Sequence, residues 1–285
     1  MAIKLGKNHY GKNAVHLTRV IRHADYHELR QVTVSVQLTG DYARAHTHGD
    51  NALVLPTDTQ KNTVYALAKA HFTGAIEEFA LVLARHFVGR NPQVSQARIE
   101  ISEHLWQRLR FDGQAHPHAF VGGGSERRRA VVELPAGGAP RVWGGLKGLL
   151  VAKTADSGFV GYPRDEYTTL PETTDRILST EVEAEWEYTR AELGFNELFE
   201  QIRLGMLRTF AGHQSLSVQH TLYAIGEQVL EANNEVKEIS LVMPNKHHIP
   251  FNLTPFGQEN TNEVFVATDA PFGYITGTVV REDEA

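Results

Sequence analysis

The chain has 285 residues, 41% hydrophobic and 22% charged, with a formal net charge of −6 and no cysteine. That size suits one large or two medium globular domains, and the negative balance argues against a general nucleic-acid partner. The missing thiols exclude disulfides, thiolate nucleophiles and cysteine-ligated zinc or iron–sulfur centres together.

Val15, Leu17, Arg19 and Ile21 alternate with His16, Thr18 and Val20, as in a strand just after Lys12. In the next run Val32, Val34, Val36 and Leu38 point one way and Thr33, Ser35 and Gln37 the other. A helix is predicted from near Gln60 with Val64, Leu67 and Ala68. After a break at Gly74 a second helix presents Ile76, Phe79, Leu83 and Phe87 on one face. Strands return at Ala97, Ile99 and Ile101 and around Arg129–Leu134, while Gly122-Gly123-Gly124 reads as a hairpin turn between strands. The order is ββααββ.

The same order recurs downstream. Strands are predicted near Leu149–Lys153 and at Val182, Ala184, Trp186 and Tyr188. Helices follow at Phe195–Phe210 and Ser217–Asn233, then strands at Val236–Met243 and within Glu263–Val280. Residues 1–140 and 141–285 are therefore expected to form two ββααββ units of an α+β protein, with antiparallel sheets carrying helices on one face. Strand faces rich in Thr, Ser and Gln, and sheet edges that one chain leaves open, favour a homo-oligomer.

Between Phe159 and Thr180 the sequence FVGYPRDEYTTLPETTDRILST has neither period, so it is a long polar loop, equally readable as a site or as a solvated surface. Thr57 and Gln60 have capping-box spacing before a helix, whose N-terminus also offers free N–H groups to an anion. Asn245-Lys246-His247-His248 follows a strand as a polar turn or a place for chemistry, and Val218-Gln219 opens a helix. The pairs His46/His48 and His116/His118 would put both imidazoles on one side of a strand, as metal ligands do, but neither is followed by a well-spaced carboxylate. No Walker A loop, G-x-S-x-G or well-placed G-x-G-x-x-G occurs.

Taken together, YGK at Tyr10–Lys12, TDTQKNTVY at Thr57–Tyr65, HPHAF at His116–Phe120, RDEYTTL at Arg164–Leu170, DRILST at Asp175–Thr180, SVQ at Ser217–Gln219 and PNKHH at Pro244–His248 resemble the urate oxidase (uricase) family, from Tyr10 to about Val280. The resemblance implies the tunnelling fold (T-fold), in which four chains stack their sheets into a barrel around a tunnel. It implies oxidation of urate by O₂ and water to 5-hydroxyisourate and hydrogen peroxide, with no metal and no organic cofactor. Sites are expected between subunits of a homotetramer.

Residue by residue, the resemblance makes Arg176 and Gln219 the grips on opposite edges of urate, Phe159 the ring that stacks on its face, Val218 a backbone hydrogen-bond partner and Leu170 a pocket wall. From a neighbouring chain, Thr57 and Asp58 would meet the five-membered ring. Thr57 and Asn245 would hold water or O₂, and Lys12, Thr57 and His247 would relay protons. Arg164, Asp165 and Glu166 would shape the loop or a subunit contact.

No apolar run approaches the ~18–20 residues that span a bilayer, and the start is too polar for a secretory signal. The acidic ending Arg281–Ala285 lacks the Ser-Lys-Leu signal of eukaryotic relatives, so a bacterial, cytoplasmic enzyme is expected. The competing readings are another T-fold purine or pterin enzyme with histidine-bound zinc, and a non-catalytic purine-binding protein.

Overall fold

The computed structural model describes residues 3–282; the ending read above lies partly outside them. The chain divides into two compact units. The first holds the described residues to Gly145 together with Glu187–Glu197; the second holds Leu146–Trp186 and the described residues from Leu198.

In the first unit β1 (Tyr10–Arg22), β2 (His27–Gly40), β3 (Val94–Phe111) and β4 (Gln114–Pro135) pair in that order, all antiparallel. Between β2 and β3 come the short α1 (Ala43–His48), then α2 (Thr57–His71) and α3 (Ile76–Arg90). The register places Val15 opposite Val34, Val34 opposite Ile101, and Ile101 opposite Ala130. All four are buried, because paired residues share a sheet face and this face is the one packed by helices. Ile76, Phe79, Leu83 and Phe87 on α3 are fully buried, as their helical spacing predicts. Truncating one of these phenylalanines would cost about 3–5 kcal/mol.

Three local expectations are corrected. Gly122-Gly123-Gly124 is not a turn, because Gly122 lies within β4 opposite Trp106. The hairpin turns instead at Asp112-Gly113, both with positive φ, the Asp-Gly signature of a tight hairpin. The glycines mark a register shift between His104 and Trp106, and a Cβ on Gly123 would sit 2.2 Å from the Leu105 carbonyl oxygen. Second, His46 and His48 lie on the helix α1, where an i, i+2 pair points about 200° apart. Third, Lys12 lies within β1 rather than before it.

The second unit begins within β5 (Arg141–Lys153) and contains most of β6 (Leu178–Tyr188) and α4 (Phe195–Gly212). It continues through α5 (Val218–Ala232), β7 (Val236–Val242), β8 (His248–Pro250), β9 (Phe265–Ala267) and β10 (Thr276–Val280). Strand order is β6-β7-β10, with β8 and β9 forming a separate two-stranded ribbon. The helix α5 lies close on β10: a Cβ on Gly226 would come 2.4 Å from Val279 Cγ2. The region Glu263–Val280 yields two short strands, Phe265–Ala267 and Thr276–Val280, with Pro271, which has no N–H to give a ladder, between them. No described helix is long and apolar enough to cross a membrane.

Candidate active site

The loop that leaves β5 is closed on itself. Ser157 bridges Ser215, ahead of α5, with Gly158 N–H donating to the Ser215 carbonyl at 2.8 Å. Phe159 and Thr173 exchange backbone hydrogen bonds of 2.7 and 3.2 Å. The Glu172 carboxylate accepts from Gly161 N–H at 3.0 Å. At the tip Asp165 accepts from Tyr167 N–H and from the Thr168 hydroxyl, which itself accepts from Asp165 N–H. Asp165 therefore shapes the loop, while Glu166 is exposed.

Closing the loop brings Phe159, Leu170 and Arg176 to one wall of a cavity of about 350 Å³. Asn245 and His247, just after β7, line it too, as do Ile177, His248, Ile249, Pro250, Asn262 and Phe265. This is a small-molecule size. Asn245 is anchored by its N–H donating to the Gly273 carbonyl at 2.7 Å and by a bridge to the fully buried Thr180. Its side-chain Nδ2 stands 3.4 Å from His247 Nδ1.

Arg176 is the electrostatic centre. Its Cζ lies 5.3 Å over the Phe159 ring, and its Nε is buried with no hydrogen-bond partner among the described residues. Burial pushes the guanidinium below its usual range, although arginine stays a cation at physiological pH. A buried donor without an acceptor costs about 1–3 kcal/mol, so the site gains by taking a ligand that supplies one. The planar fork suits a planar anion or a carbonyl edge.

Val218 and Gln219 form the first turn of α5 and do not line the cavity. Ser217 caps that helix, its hydroxyl accepting from His220 N–H at 3.1 Å. The Val218 side chain is buried and Gln219 is exposed. The Ser157–Ser215 bridge ties the start of this turn to the segment just before Phe159.

Lys12, Thr57 and Asp58 form a second group, within the first unit. Between Lys12 and Val15, β1 spends two residues opposite Ser35 alone. Regular alternation would put Lys12 and Val15 on opposite faces. The bulge instead pairs Lys12 with Val36, on the same helix-packed face as Val15 and Val34. Asn13 Oδ1 accepts from Ala14 N–H at 3.0 Å, and Ala14 has φ +54°. A Cβ on Gly11 would lie 1.8 Å from the Val36 carbonyl oxygen, so the residue before Lys12 has to be glycine.

The expected capping box is absent. Pro56 occupies the N-cap of α2, no side chain closes it, and Gln60 is buried with its amide donating to the Leu55 carbonyl at 3.3 Å. Thr57 is left exposed at the first helical position, beside free helical N–H groups. The hydrogen bond from Lys61 holds the Asp58 carboxyl below its usual range, aided by Asn62 and by the charge of Lys12.

His116 and His118 share a side of β4 with ring centroids 4.7 Å apart, but among the described residues no group of three His, Asp or Glu side chains could hold a metal ion. Sequence reasoning gave no role to Ile177, Ile249, Pro250, Asn262 and Phe265. Ile177 sat inside a quoted motif, whereas the β8–β9 ribbon beyond His248 carried no signal of its own.

Fold and cavity together define an antiparallel α+β protein of the T-fold kind with a small-molecule-sized cavity. The uricase family profile matches residues 8–133 and 142–276. A uricase of Arthrobacter globiformis is 45% identical over 280 residues, covering 98% of this chain and 91% of that protein. A uricase of Danio rerio is 37% identical, covering 97% and 94%. The crystal structure of the Arthrobacter globiformis uricase superposes with a TM-score of 0.95 at 44% identity, covering 100% of this chain and 97% of that one. The chain belongs to the uricase family.

Proposed function

We propose that this chain oxidises urate with O₂ and water to 5-hydroxyisourate and hydrogen peroxide, without metal or organic cofactor. The observation that carries the reading is the half-buried Arg176, unpaired among the described residues, beside the Phe159 ring in a cavity that also holds Asn245 and His247. Arg176 grips the urate edge through two parallel N–H donors, and Phe159 stacks on the ring. Leu170 closes the pocket, while Gln219 and the Val218 N–H, an orphan donor at a helix start, take the opposite edge.

Lys12, Thr57 and His247 relay protons, and Thr57 with Asn245 holds water or O₂ over the ring. Removing protons from urate makes it electron-rich enough to pass an electron to O₂. Urate therefore serves as its own redox centre, and the protein contributes orientation, proton transfer and charge stabilisation.

In this reading residues 1–140 and 141–285 are duplicated ββααββ units, and four chains assemble into a tunnel. Thr57 and Asp58 reach a site whose Arg176 belongs to a neighbouring subunit. The enzyme is cytoplasmic and bacterial.

An oxygen electrode and the decay of urate absorbance test this directly. Chelator-treated protein should consume urate and O₂ and release peroxide. Activity lost on chelation and restored by zinc or copper would overturn the cofactor-free claim, and urate binding without peroxide would leave a purine-binding protein.

A further inference from the structure

We infer that Tyr162 is a positioning residue that holds the substrate-facing ring of Phe159 in its plane; this rests on reading the cavity as the urate site. Gly161 has φ +73°, and this turn folds the Tyr162 ring back onto Phe159. The two rings stack with centroids 4.7 Å apart and planes at 14°. The stacked ring covers one face of Phe159 and restricts its tilt.

The Tyr162 hydroxyl donates to the Leu170 carbonyl at 2.6 Å. One side chain thereby ties together the two cavity walls, Phe159 and Leu170. Arg164 completes the support, its Cζ lying 5.6 Å over the Tyr162 ring, while Arg176 lies over Phe159. Each ring of the pair thus carries a guanidinium of its own, Arg164 at Tyr162 and Arg176 at Phe159. Tyr162 does not itself line the cavity, so it acts through Phe159. A ring fixed before the ligand arrives loses less freedom on binding, and that shows in affinity rather than in the chemical step.

Steady-state kinetics with urate and calorimetric binding of xanthine, urate's analogue without the C8 oxygen, test the assignment. Tyr162→Ala should raise the urate KM and the xanthine Kd by between about twofold and tenfold, the worth of one aromatic pair, with kcat within about twofold. Tyr162→Phe keeps the stack and should stay within about twofold of wild type in all three constants. Tyr162→Leu, apolar but not planar, should follow the alanine variant and replaces it if that variant does not fold. Wild-type KM and Kd in the alanine or leucine variant, or an equal fall in kcat and kcat/KM, would overturn the role. If wild-type protein binds xanthine but leaves urate untouched, the oxidase reading fails and the Kd ratios alone decide Tyr162.

Discussion

Asn245 Nδ2 stands 3.4 Å from His247 Nδ1, and both side chains line the cavity that holds Arg176. Asn245 is nearly buried and pinned through its backbone to Gly273, so it presents a fixed amide to a more exposed imidazole. The two polar side chains thus face the cavity side by side.

The relay should therefore show in turnover more than in binding. Lys12→Met, Thr57→Ala and His247→Phe should each lower kcat by about 10²–10⁴-fold, the usual yield of general acid–base catalysis, while xanthine still binds. Wild-type turnover in Lys12→Met and Thr57→Ala would remove the relay.

Arg176 should separate function from stability. Arg176→Lys keeps the charge but loses the bidentate fork, and should raise the urate KM by about 10–100-fold, the worth of a charged hydrogen bond. Because the guanidinium is desolvated without an acceptor for Nε, Arg176→Met should leave the urea midpoint unchanged or higher. A clear loss of stability in Arg176→Met would mean that the fold itself pairs this charge.

Gly11→Ala should harm the fold and the site together. Its Cβ would meet the Val36 carbonyl oxygen at 1.8 Å, so β1 must shift beside the bulge that aims Lys12. A destabilisation of about 1–3 kcal/mol is expected, the usual cost of overpacking, with a further fall in kcat. Urea melts and the oxygen electrode read the two effects, and wild-type values in both would contradict the close approach.

Glu77 on α3 is fully buried and accepts from Arg128 at 2.7 Å. Burial pushes its carboxyl up to about 7, against the opposing pull of the Arg128 charge. The folded state then holds this proton more tightly than the unfolded chain. Its contribution is full below about 4.5 and is lost as pH rises through 7. Urea melts from pH 5 to 8 should show wild-type stability falling relative to Glu77→Gln, and parallel curves would refute it. Glu77→Ala takes the 2.7 Å acceptor away from the buried Arg128 guanidinium and should cost about 1–3 kcal/mol.

The proposed sharing of sites between subunits predicts complementation. Thr57→Ala and Arg176→Ala homo-oligomers should each be nearly inactive. After mixing through unfolding and refolding, hybrids should recover part of the activity, because some sites then combine wild-type Thr57 from one chain with wild-type Arg176 from another. Light scattering should give a tetramer, and a fully active monomer would contradict the arrangement.

Much of the fold was legible in the chain. Alternation marked β1 through Val15 and Leu17, and β2 through Val32 to Leu38. Helical spacing marked α3 through Ile76, Phe79, Leu83 and Phe87, since these periods reflect burial of one face. The long loop was recognised as a loop, but its charged tip drew the eye. The structure assigns Asp165 to the turn and brings Phe159 and Arg176, near its two ends, to the cavity. The β8–β9 ribbon, with Ile249, Pro250 and Phe265 on the cavity wall, was not legible because its strands are three residues each, too short for a period to show.

By itself the sequence determined the main strands and helices and their core faces, because these depend on residue type at short spacing, and its separated motifs carried the resemblance to the family. Tertiary structure alone decided that a bulge turns Lys12 onto the helix-packed face, that Pro56 rather than Thr57 caps α2, and that Tyr162 backs Phe159. Those outcomes follow from register, close approach and loop closure, which pair residues across space and leave no period in the chain.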